Sequence, residues 1–588
     1  MTDHLGLLPH NVVREDRADG SILLLSGYAL GPVARSTGDW LHKWSADAPD
    51  RVFLAERSGE GWRRLSYAEV LQQVQAIAAA LLDRQPKGPI LILSGNSIDH
   101  ALLSLAAHYV GFITVPVAEQ YSLIPEAHGR LRHVIDLVKP GLVYAADGDA
   151  YGKALDMVNA PAIAANPGAS KAEPFDTLLR GSGSVFGAHA AVGTDTVAKI
   201  LMTSGSTSDP KGVITTQRMM TTNQTQIADG LPFLRARPPV LVDWLPWNHV
   251  FGGSHNFNLV LANGGSLYID DGKPLPALFP RTLENLGLVS GTISFNVPLG
   301  FGQLVEALQA DAALREMYFR DLDMIFYAGS SLPQDIWTAL EDLAPERMPL
   351  ITSSWGLTET APAATQQHVP AKGAGIVGVP LPGVTVKLKR DGDGRFEVRV
   401  KGDNVTPGYW ANPEKTNNAF DDEGFFITGD AMRFVDPDDL TKGLVFDGRT
   451  SEDFKLTSGT WVHAATLRLE IMAVLAPLAA DLIVVGADRD EIGVLIVPNR
   501  AAGDFIDDGL VCGGPVKSDI RNRLEAKAEA ATGSANRVVR ALVMAKPPSM
   551  GEGEMTVKGN LNFAKVLQRR AELVERLYDD NDPASIVI

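Results

Sequence analysis

Met202-Thr-Ser-Gly-Ser-Thr-Ser-Asp-Pro-Lys-Gly212 decides the reading of this chain. Strand-like residues 197–201 precede it, and strand-like residues 213–216 follow it. Small residues let a backbone approach a ligand closely, and glycine admits the dihedrals that turn N–H groups inward. Hydroxyls at Thr203, Ser204, Ser206, Thr207 and Ser208 can donate to phosphate oxygens, and Lys211 adds positive charge. The segment is not a Walker loop, which has Gly-Lys followed by Ser or Thr and passes from a strand into a helix. Here Pro210 precedes the lysine, Gly212 follows it, and strands stand on both sides. These residues alone leave two readings open, a phosphate-binding loop and a polar hairpin turn.

Outward from the loop, strand-like and helix-like segments alternate. Ser66-Tyr-Ala-Glu69 is a capping box that opens an alanine-rich helix reaching residue 83. Pro89-Ile-Leu-Ile-Leu93 is a continuous apolar run, the pattern of a buried parallel strand. Residues 98–110 carry a helix pattern ended by Gly111, and residues 113–117 and 141–146 read as further strands. After Val197 come strand patterns at 240–245, 266–269 and 324–327. This order predicts an α/β fold of parallel-rich sheets sandwiched by helices. Residues 147–195, rich in Ala, Gly and Ser, read as loops between two sublobes. Before residue 40 only the apolar stretch 22–25 suggests a strand or packing segment.

The composition changes at Asp436-Pro-Asp-Asp-Leu-Thr-Lys-Gly443, and a short strand at 444–446 leads into the polar stretch 447–453. This places a boundary between a large N-terminal domain, residues 1–447, and a small α/β C-terminal domain, residues 448–588. The small domain alternates strands at 482–486, 493–498 and 538–544 with helices at 517–531 and 561–578.

The chain has 588 residues, 45% hydrophobic and 21% charged, the balance of a soluble globular protein too long for one ordinary domain. No run of apolar residues is long enough to span a bilayer, so no membrane insertion is expected. The N-terminus lacks the basic and apolar regions of a signal peptide. The net charge of −17 opposes non-specific binding to nucleic acid. Anionic substrates would therefore need local cations and oriented N–H groups. The single cysteine, Cys512, excludes an intramolecular disulfide, reads as a small packing residue and fits a cytoplasmic location.

Further segments follow the loop in order: Tyr327-Ala-Gly-Ser-Ser-Leu-Pro333, Ser353-Ser-Trp-Gly-Leu-Thr-Glu-Thr360, Phe426-Ile-Thr-Gly-Asp430 and Asp447-Gly-Arg449. With the loop, they resemble the ordered motifs of the adenylate-forming superfamily, which includes acyl-CoA synthetases, amino-acid adenylation domains and beetle luciferases. The likeness extends over residues 40–580 and implies a mobile C-terminal lid domain.

The resemblance implies that Thr203, Ser204, Gly205, Ser206, Thr207 and Lys211 grip the ATP phosphates, and that Gly329, Ser330 and Ser331 contact adenine. Trp355 and Gly356 open the aromatic-Gly-x-Thr-Glu motif. In it Thr358 would bond the α-phosphate, and Glu359 would hold Mg²⁺ together with Thr203. Asp430 would accept from the ribose hydroxyls, and Arg449 would reach ribose or phosphate. Asp243-Trp-Leu-Pro-Trp-Asn-His-Val-Phe-Gly-Gly253 resembles the segment that carries an aromatic gate, with His249 at the gate position. Asn248, Phe251, Gly252 and Gly253 could line the same acyl pocket, with His255 a weaker candidate. Glu452-Asp-Phe-Lys-Leu-Thr-Ser-Gly-Thr-Trp-Val462 resembles the thioesterification loop, with Lys455 its basic residue and Gly459 its glycine against coenzyme A. Ser451 stands at the hinge position, where relatives often carry Asp or Lys. Glu554-Met-Thr-Val-Lys-Gly559 resembles the loop of the adenylation lysine, which makes Lys558 the charge between carboxylate and α-phosphate. The usual Thr-Gly-Lys is here Thr556-Val557-Lys558.

Gly373-Ala-Gly-Ile-Val-Gly378 satisfies a dinucleotide-binding pattern, but Val379-Pro-Leu-Pro-Gly383 cannot open the helix that pattern requires. The stretch from Lys455 to Val462, with the ending Lys558-Gly-Asn-Leu-Asn562, resembles bacterial feruloyl-CoA synthetases. That likeness implies a hydroxycinnamic acid such as ferulate, ATP and coenzyme A as substrates of a monomer or homodimer. Another aromatic acid, a fatty acid, or a non-catalytic sensor of acyl-adenylate are the alternatives. An amino acid substrate is disfavoured, because Asn248 offers its amine no negative charge.

Overall fold

Ser66 caps the helix Tyr67–Arg84 as its sequence predicts: its hydroxyl accepts from the Glu69 amide, and the Glu69 carboxylate accepts from the Ser66 amide at 2.7 Å. Val70, Val74, Ile77 and Leu81 recur at helical spacing on one face and are fully buried. The helix packs on the helix Ile98–Tyr109 and against the strands Val52–Ser58 and Gly61–Ser66. The structure, a computed structural model, describes residues 3–203, 210–392, 394–498, 506–507, 510–511, 513–531, 533–549, 552–555 and 561–588.

Among the described residues, two large sheets organise the N-terminal part. A seven-stranded sheet runs in the order Lys211–Thr216, Val197–Thr203, Thr114–Pro116, Ile90–Leu93, Leu142–Asp147, Ala162–Asn166 and Glu173–Pro174. All of its pairings are parallel except the hairpin between its first two strands. In an eleven-stranded sheet, Ile293–Asn296, Met324–Tyr327 and Leu350–Gly356 pair in parallel. The rest is antiparallel, from Ala363–Gln366 through Ile376–Pro380, Leu444–Arg449, Phe426–Phe434, Phe396–Lys401 and Thr385–Arg390. The seven-stranded sheet is thus parallel-rich as expected, while the eleven-stranded sheet is mixed. The short connections from Gly356 to Ala363, from Gln366 to Ile376 and from Phe434 to Leu444 lead directly into neighbouring strands, which only antiparallel pairing allows.

Several boundaries differ from the sequence reading. Residues 147–195 are not simply loops: Ala162–Asn166 and Glu173–Pro174 extend the seven-stranded sheet. Alanine carries little strand propensity of its own, and pairing with Leu142–Asp147 supplies what composition hides. The early apolar stretch forms the strand Ile22–Ser26, which pairs with Thr385–Arg390 and forms a hairpin with Val12–Asp16. The stretch Gly373–Gly378 runs into the strand Ile376–Pro380, as its prolines require.

The smaller C-terminal part has its own four-stranded sheet, Ala479–Val485, Ile492–Pro498, Val538–Val543 and Ile586–Val587, against the helices Ala464–Leu475 and Pro515–Glu529. Its apolar cluster, including Leu467, Ile471, Val494, Ile496, Ile520 and Ala541, draws on no residue before Phe454. The single helix read at 561–578 is two, Phe563–Arg569 and Ala571–Leu577. Between them the Arg570 guanidinium donates to both oxygens of buried Glu554, at 2.8 and 2.6 Å, and to the Lys546 carbonyl at 2.7 Å. The polar stretch expected from residue 447 begins inside the strand Leu444–Arg449. Among the described residues no helix is long and apolar enough to cross a membrane.

Candidate functional site

The strands on either side of the decisive loop pair with each other. Val197–Thr203 and Lys211–Thr216 pair antiparallel, and Thr203 stands opposite Lys211 as the last rung. Both expected loop ends thus belong to strands; Ser204, Gly205, Ser206 and Thr207 lie outside the described residues. The rung aims Lys211 at two groups. Its ammonium donates to the Tyr409 hydroxyl at 2.7 Å and lies 3.0 Å from the Glu359 carboxylate. Tyr409 in turn donates to Glu359 at 2.9 Å. Burial and the neighbouring Glu359 charge push the Tyr409 hydroxyl well above its ordinary pKa, so it remains a donor.

Tyr409 reaches this position because residues 408–410 lie alongside the hairpin. Ile214 donates to the Gly408 carbonyl at 3.1 Å, and Trp410 donates to the Gly212 carbonyl at 2.8 Å. Sequence reasoning missed Tyr409. Its only local cue is an aromatic residue after Pro407-Gly408, which says nothing of its partners.

Glu359 sits in the short turn Thr358–Thr360, which follows the parallel strand Leu350–Gly356. A Cβ on Gly356 would stand 1.8 Å from the Pro362 carbonyl oxygen, so this close return of the chain admits only glycine. Asn404 donates to the Thr360 carbonyl at 2.9 Å, and Thr406 donates to the Glu359 carbonyl at 2.8 Å. These bonds fix Thr358 and Glu359, both buried, beyond the carboxyl end of a parallel strand, where open α/β sheets bind ligands.

A second group adjoins the first. Trp355 donates from its indole nitrogen to Asp430 at 2.8 Å. Arg449, the register partner of Asp430 on the next strand, approaches its other oxygen at 3.4 Å. Burial raises the Asp430 carboxyl above the usual carboxylate range, and the Arg449 charge opposes that rise. The Glu359 charge adds to the rise, so the two carboxylates share one electrostatic environment. Among the described residues, the Asp430 oxygen facing Arg449 has no hydrogen-bond partner, and neither has the buried Thr203 hydroxyl.

The oxygens of Glu359 and Thr203 are of the hard type that Mg²⁺ takes, and phosphate oxygens would complete its shell. Among the described residues no group of three His, Cys, Asp or Glu side chains could hold a metal alone. The donor set therefore fits a cation carried in with a polyphosphate.

Gly329, Ser330 and Ser331 continue from the strand Met324–Tyr327 toward the same sheet edge; Gly329 has φ +94° and is exposed. His249 opens the turn that becomes the π-helix Phe251–Asn256, and its Nδ1 accepts from the Phe251 amide at 3.1 Å. Lys455 and Gly459 are exposed, in the hairpin of Phe454–Lys455 with Trp461–Val462, whose Leu456 and Val462 are buried in the C-terminal core. There Lys455 lies over the Trp461 ring at 4.9 Å, and Gly459 faces open space. Among the described residues, no hydrogen bond or ion pair joins them to Glu359 or Asp430. Lys558 lies outside the described residues, as does Cys512; Glu554, at the start of the Lys558 loop, is anchored by Arg570.

At the expected boundary, buried Arg395 is ringed by carboxylates: Asp391 at 2.5 Å, Asp453 at 2.8 Å and Asp447 at 3.3 Å. Asp447 also accepts from Arg433 at 2.6 Å and from the Thr466 hydroxyl. Ser451 lies in the short turn Thr450–Glu452 between these anchors. Spacing in the sequence gives no signal for Arg395.

Residues 41–410 match a family model described as "AMP-binding enzyme", and residues 454–582 match one described as "AMP-binding enzyme C-terminal domain". A malonate–CoA ligase of Arabidopsis thaliana is 28% identical over 328 residues, covering 52% of this chain and 52% of that protein. The chain thus matches about half the length of that relative. A 4-coumarate–CoA ligase 5 of Oryza sativa subsp. japonica is 26% identical over 502 residues, covering 80% of this chain and 86% of that protein. Among solved structures, an anthranilate CoA ligase in complex with anthranoyl-AMP superposes with a TM-score of 0.74 at 17% identity. That superposition covers 93% of this chain and 99% of that one, a likeness of fold.

Proposed function

The chain belongs to the AMP-binding enzyme family, and from that premise we propose that it is an acid:CoA ligase. It would convert a carboxylic acid, ATP and coenzyme A into an acyl-CoA, AMP and pyrophosphate, with a hydroxycinnamic acid such as ferulate as the acid. The observation that carries the reading is the cluster of Lys211, Tyr409 and Glu359 beside Trp355, Asp430 and Arg449. One part suits phosphates and the other a ribose; Lys211 comes from the seven-stranded sheet, and Trp355, Asp430 and Arg449 come from the eleven-stranded one.

In the first step an oxygen of the substrate carboxylate attacks the α-phosphorus. The bond from that phosphorus to the bridging oxygen breaks, and pyrophosphate leaves. Thr358 would bond the α-phosphate, and Lys211 would hold the outer phosphates while charge moves onto them. Lys558 would lie between the two anions as they approach. Asp430 would accept from the ribose hydroxyls, and Gly329, Ser330 and Ser331 would flank the adenine. Glu359 and Thr203 would hold Mg²⁺, which when bound neutralises phosphate charge. In the second step the thiol of coenzyme A attacks the acyl carbonyl carbon, AMP leaves, and the thiol proton passes to solvent. His249 would gate the acyl pocket. Lys455 and Gly459 would serve this step after the C-terminal part, from residue 448, rotates; closure also keeps water from the acyl-adenylate.

The hydroxycinnamate assignment rests on the likeness of residues 455–462 and 558–562 to feruloyl-CoA synthetases, and on the aromatic side chains beside the π-helix. The test is AMP formation across ferulate, 4-hydroxycinnamate, benzoate and fatty acids, with and without coenzyme A. Turnover that needs coenzyme A and favours the hydroxycinnamates is expected. A fatty-acid preference would overturn the choice of acid, and the absence of acid-dependent AMP release from every acid would overturn the ligase reading.

A further inference from the structure

The turn after His249 buries more polar atoms than it satisfies. In the π-helix Phe251–Asn256 His255 is 2% exposed, and among the described residues its Nε2 has no hydrogen-bond partner. The tautomer is set by a chain of bonds. Asp243 is buried at the end of the strand Val240–Asp243 and accepts at one oxygen from the Leu245 amide, at 3.3 Å. Its other oxygen accepts from the Asn256 side-chain amide at 3.0 Å. Asn256 is thereby turned so that its carbonyl oxygen faces His255 Nδ1 at 2.9 Å. Nδ1 must donate, so Nε2 is left as a bare acceptor. Burial lowers the pKa of the ring to about 4, which keeps it neutral and the acceptor available near neutral pH.

The surroundings state what can approach. Phe251, Phe295 and Phe326 flank the imidazole, with ring centroids 5.8, 5.3 and 5.2 Å from its own. Phe295 and Phe326 face each other as register partners on adjacent parallel strands, one residue before those strands end at Asn296 and Tyr327. The second of these strands continues into Gly329-Ser330-Ser331. His255 therefore lies directly beneath the carboxyl edge where the nucleotide-side residues gather, on the turn that His249 opens. The Gln224 amide nitrogen donates to the Ser254 and His255 carbonyls, while among the described residues its side-chain oxygen and the Ser254 hydroxyl are buried without partners. A buried acceptor without a partner calls for an explanation, and here it is set among aromatic rings at the end of two strands.

We infer that His255 is the specificity-determining residue for the acyl end of the substrate, and that its Nε2 accepts a hydrogen bond from a hydroxyl on an aromatic ring. The assignment rests on the ligase reading. The three phenylalanine rings suit the edges and faces of an aryl group, and a phenolic O–H supplies the donor that Nε2 lacks. A fatty-acid chain or an unsubstituted ring would leave that acceptor unpaired. Sites built to bond a hydroxyl discriminate strongly against analogues without one.

The test compares kcat/KM for 4-hydroxycinnamate, 4-methoxycinnamate and cinnamate, read as AMP formation dependent on coenzyme A. The native enzyme is expected to prefer the hydroxylated acid to each of the other two by at least about tenfold. In His255→Phe, which matches the flanking rings, that preference should fall to about onefold with cinnamate turnover retained. In His255→Gln, which keeps an acceptor, a preference should remain. Equal turnover of the three acids by the native enzyme would overturn the role of His255 while the ligase reading stands, as would an unchanged preference in His255→Phe. Release of AMP from none of the acids, fatty acids included, would overturn both.

Discussion

Tyr409 shows how a single hydroxyl can order a site. It accepts from Lys211 and donates to Glu359, and the Lys211 ammonium also lies over its ring at 4.2 Å. The phenol thus fixes the direction of both charges. Without it the ammonium and carboxylate could still pair, but their positions would no longer be set against the hairpin. Hydrogen bonds to charged groups contribute roughly 1.5–3 kcal/mol. Tyr409→Phe removes the hydroxyl and keeps the ring on which Lys211 rests. Acid-dependent pyrophosphate exchange should fall at least about tenfold, since about 1.4 kcal/mol corresponds to that factor. Melting temperature should change little, because the ring still fills its place. Unchanged exchange would remove Tyr409 from the positioning of Lys211 and Glu359.

The π-helix Phe251–Asn256 is built on close backbone approach, and this is where composition and structure meet most directly. A Cβ on Gly253 would stand 2.1 Å from the Trp247 carbonyl oxygen. The Gly253 amide donates to the His249 carbonyl at 2.8 Å, and its own carbonyl accepts from buried Lys199 at 2.7 Å. Gly253→Ala must push the turn off residue 247, and overpacking of this kind costs roughly 1–3 kcal/mol. The KM for the acid should rise several-fold while the KM for ATP stays the same, which initial-rate kinetics will show. A rise in the ATP constant alone would contradict a role of this turn in the acyl pocket. Elements like the helix Tyr67–Arg84 and the strand Met324–Tyr327 are legible in the sequence because their signals are local: a capping box, a helical apolar stripe, a short buried run. The strand Ala162–Asn166, the break at Arg570 and the contacts of Tyr409 and Arg395 depend on partners far along the chain, which periodicity does not reveal. Of the candidate site, the motif residues Lys211, Trp355, Glu359, Asp430 and Arg449 were readable through family likeness. The relay from Asp243 through Asn256 to His255 was not, because its meaning lies in bonds between side chains.

Across the whole molecule, many ionisable groups are buried without a counter-charge, and they pull stability in opposite directions as pH changes. Burial lowers His100 and His255 to about 4 and His108 to about 3, and raises Asp243 to about 7. An unfolded histidine titrates at about 6.5. Between that value and the folded one, the unfolded chain binds more protons, so each ring removes stability as pH falls. Asp243 acts in the opposite sense. Its folded form holds the proton more tightly, so its contribution is complete below the ordinary aspartate value of about 3.9 and is lost as pH rises toward 7. The net acid profile mixes these terms, and a difference between two proteins isolates one of them. His108 suits this purpose because it is not among the residues assigned to the site; it lies on the helix Ile98–Tyr109, where its Nε2 meets the Thr114 hydroxyl at 2.9 Å. Between pH 7 and pH 5 the native protein should lose about 2 kcal/mol from this ring that His108→Gln does not lose. The variant, destabilised at pH 7 by imperfect packing, should therefore recover relative to the native protein as the solution is acidified. Urea unfolding at the two pH values measures that crossing directly. A difference in unfolding free energy that stays constant with pH would mean that His108 takes up its proton while the protein is still folded.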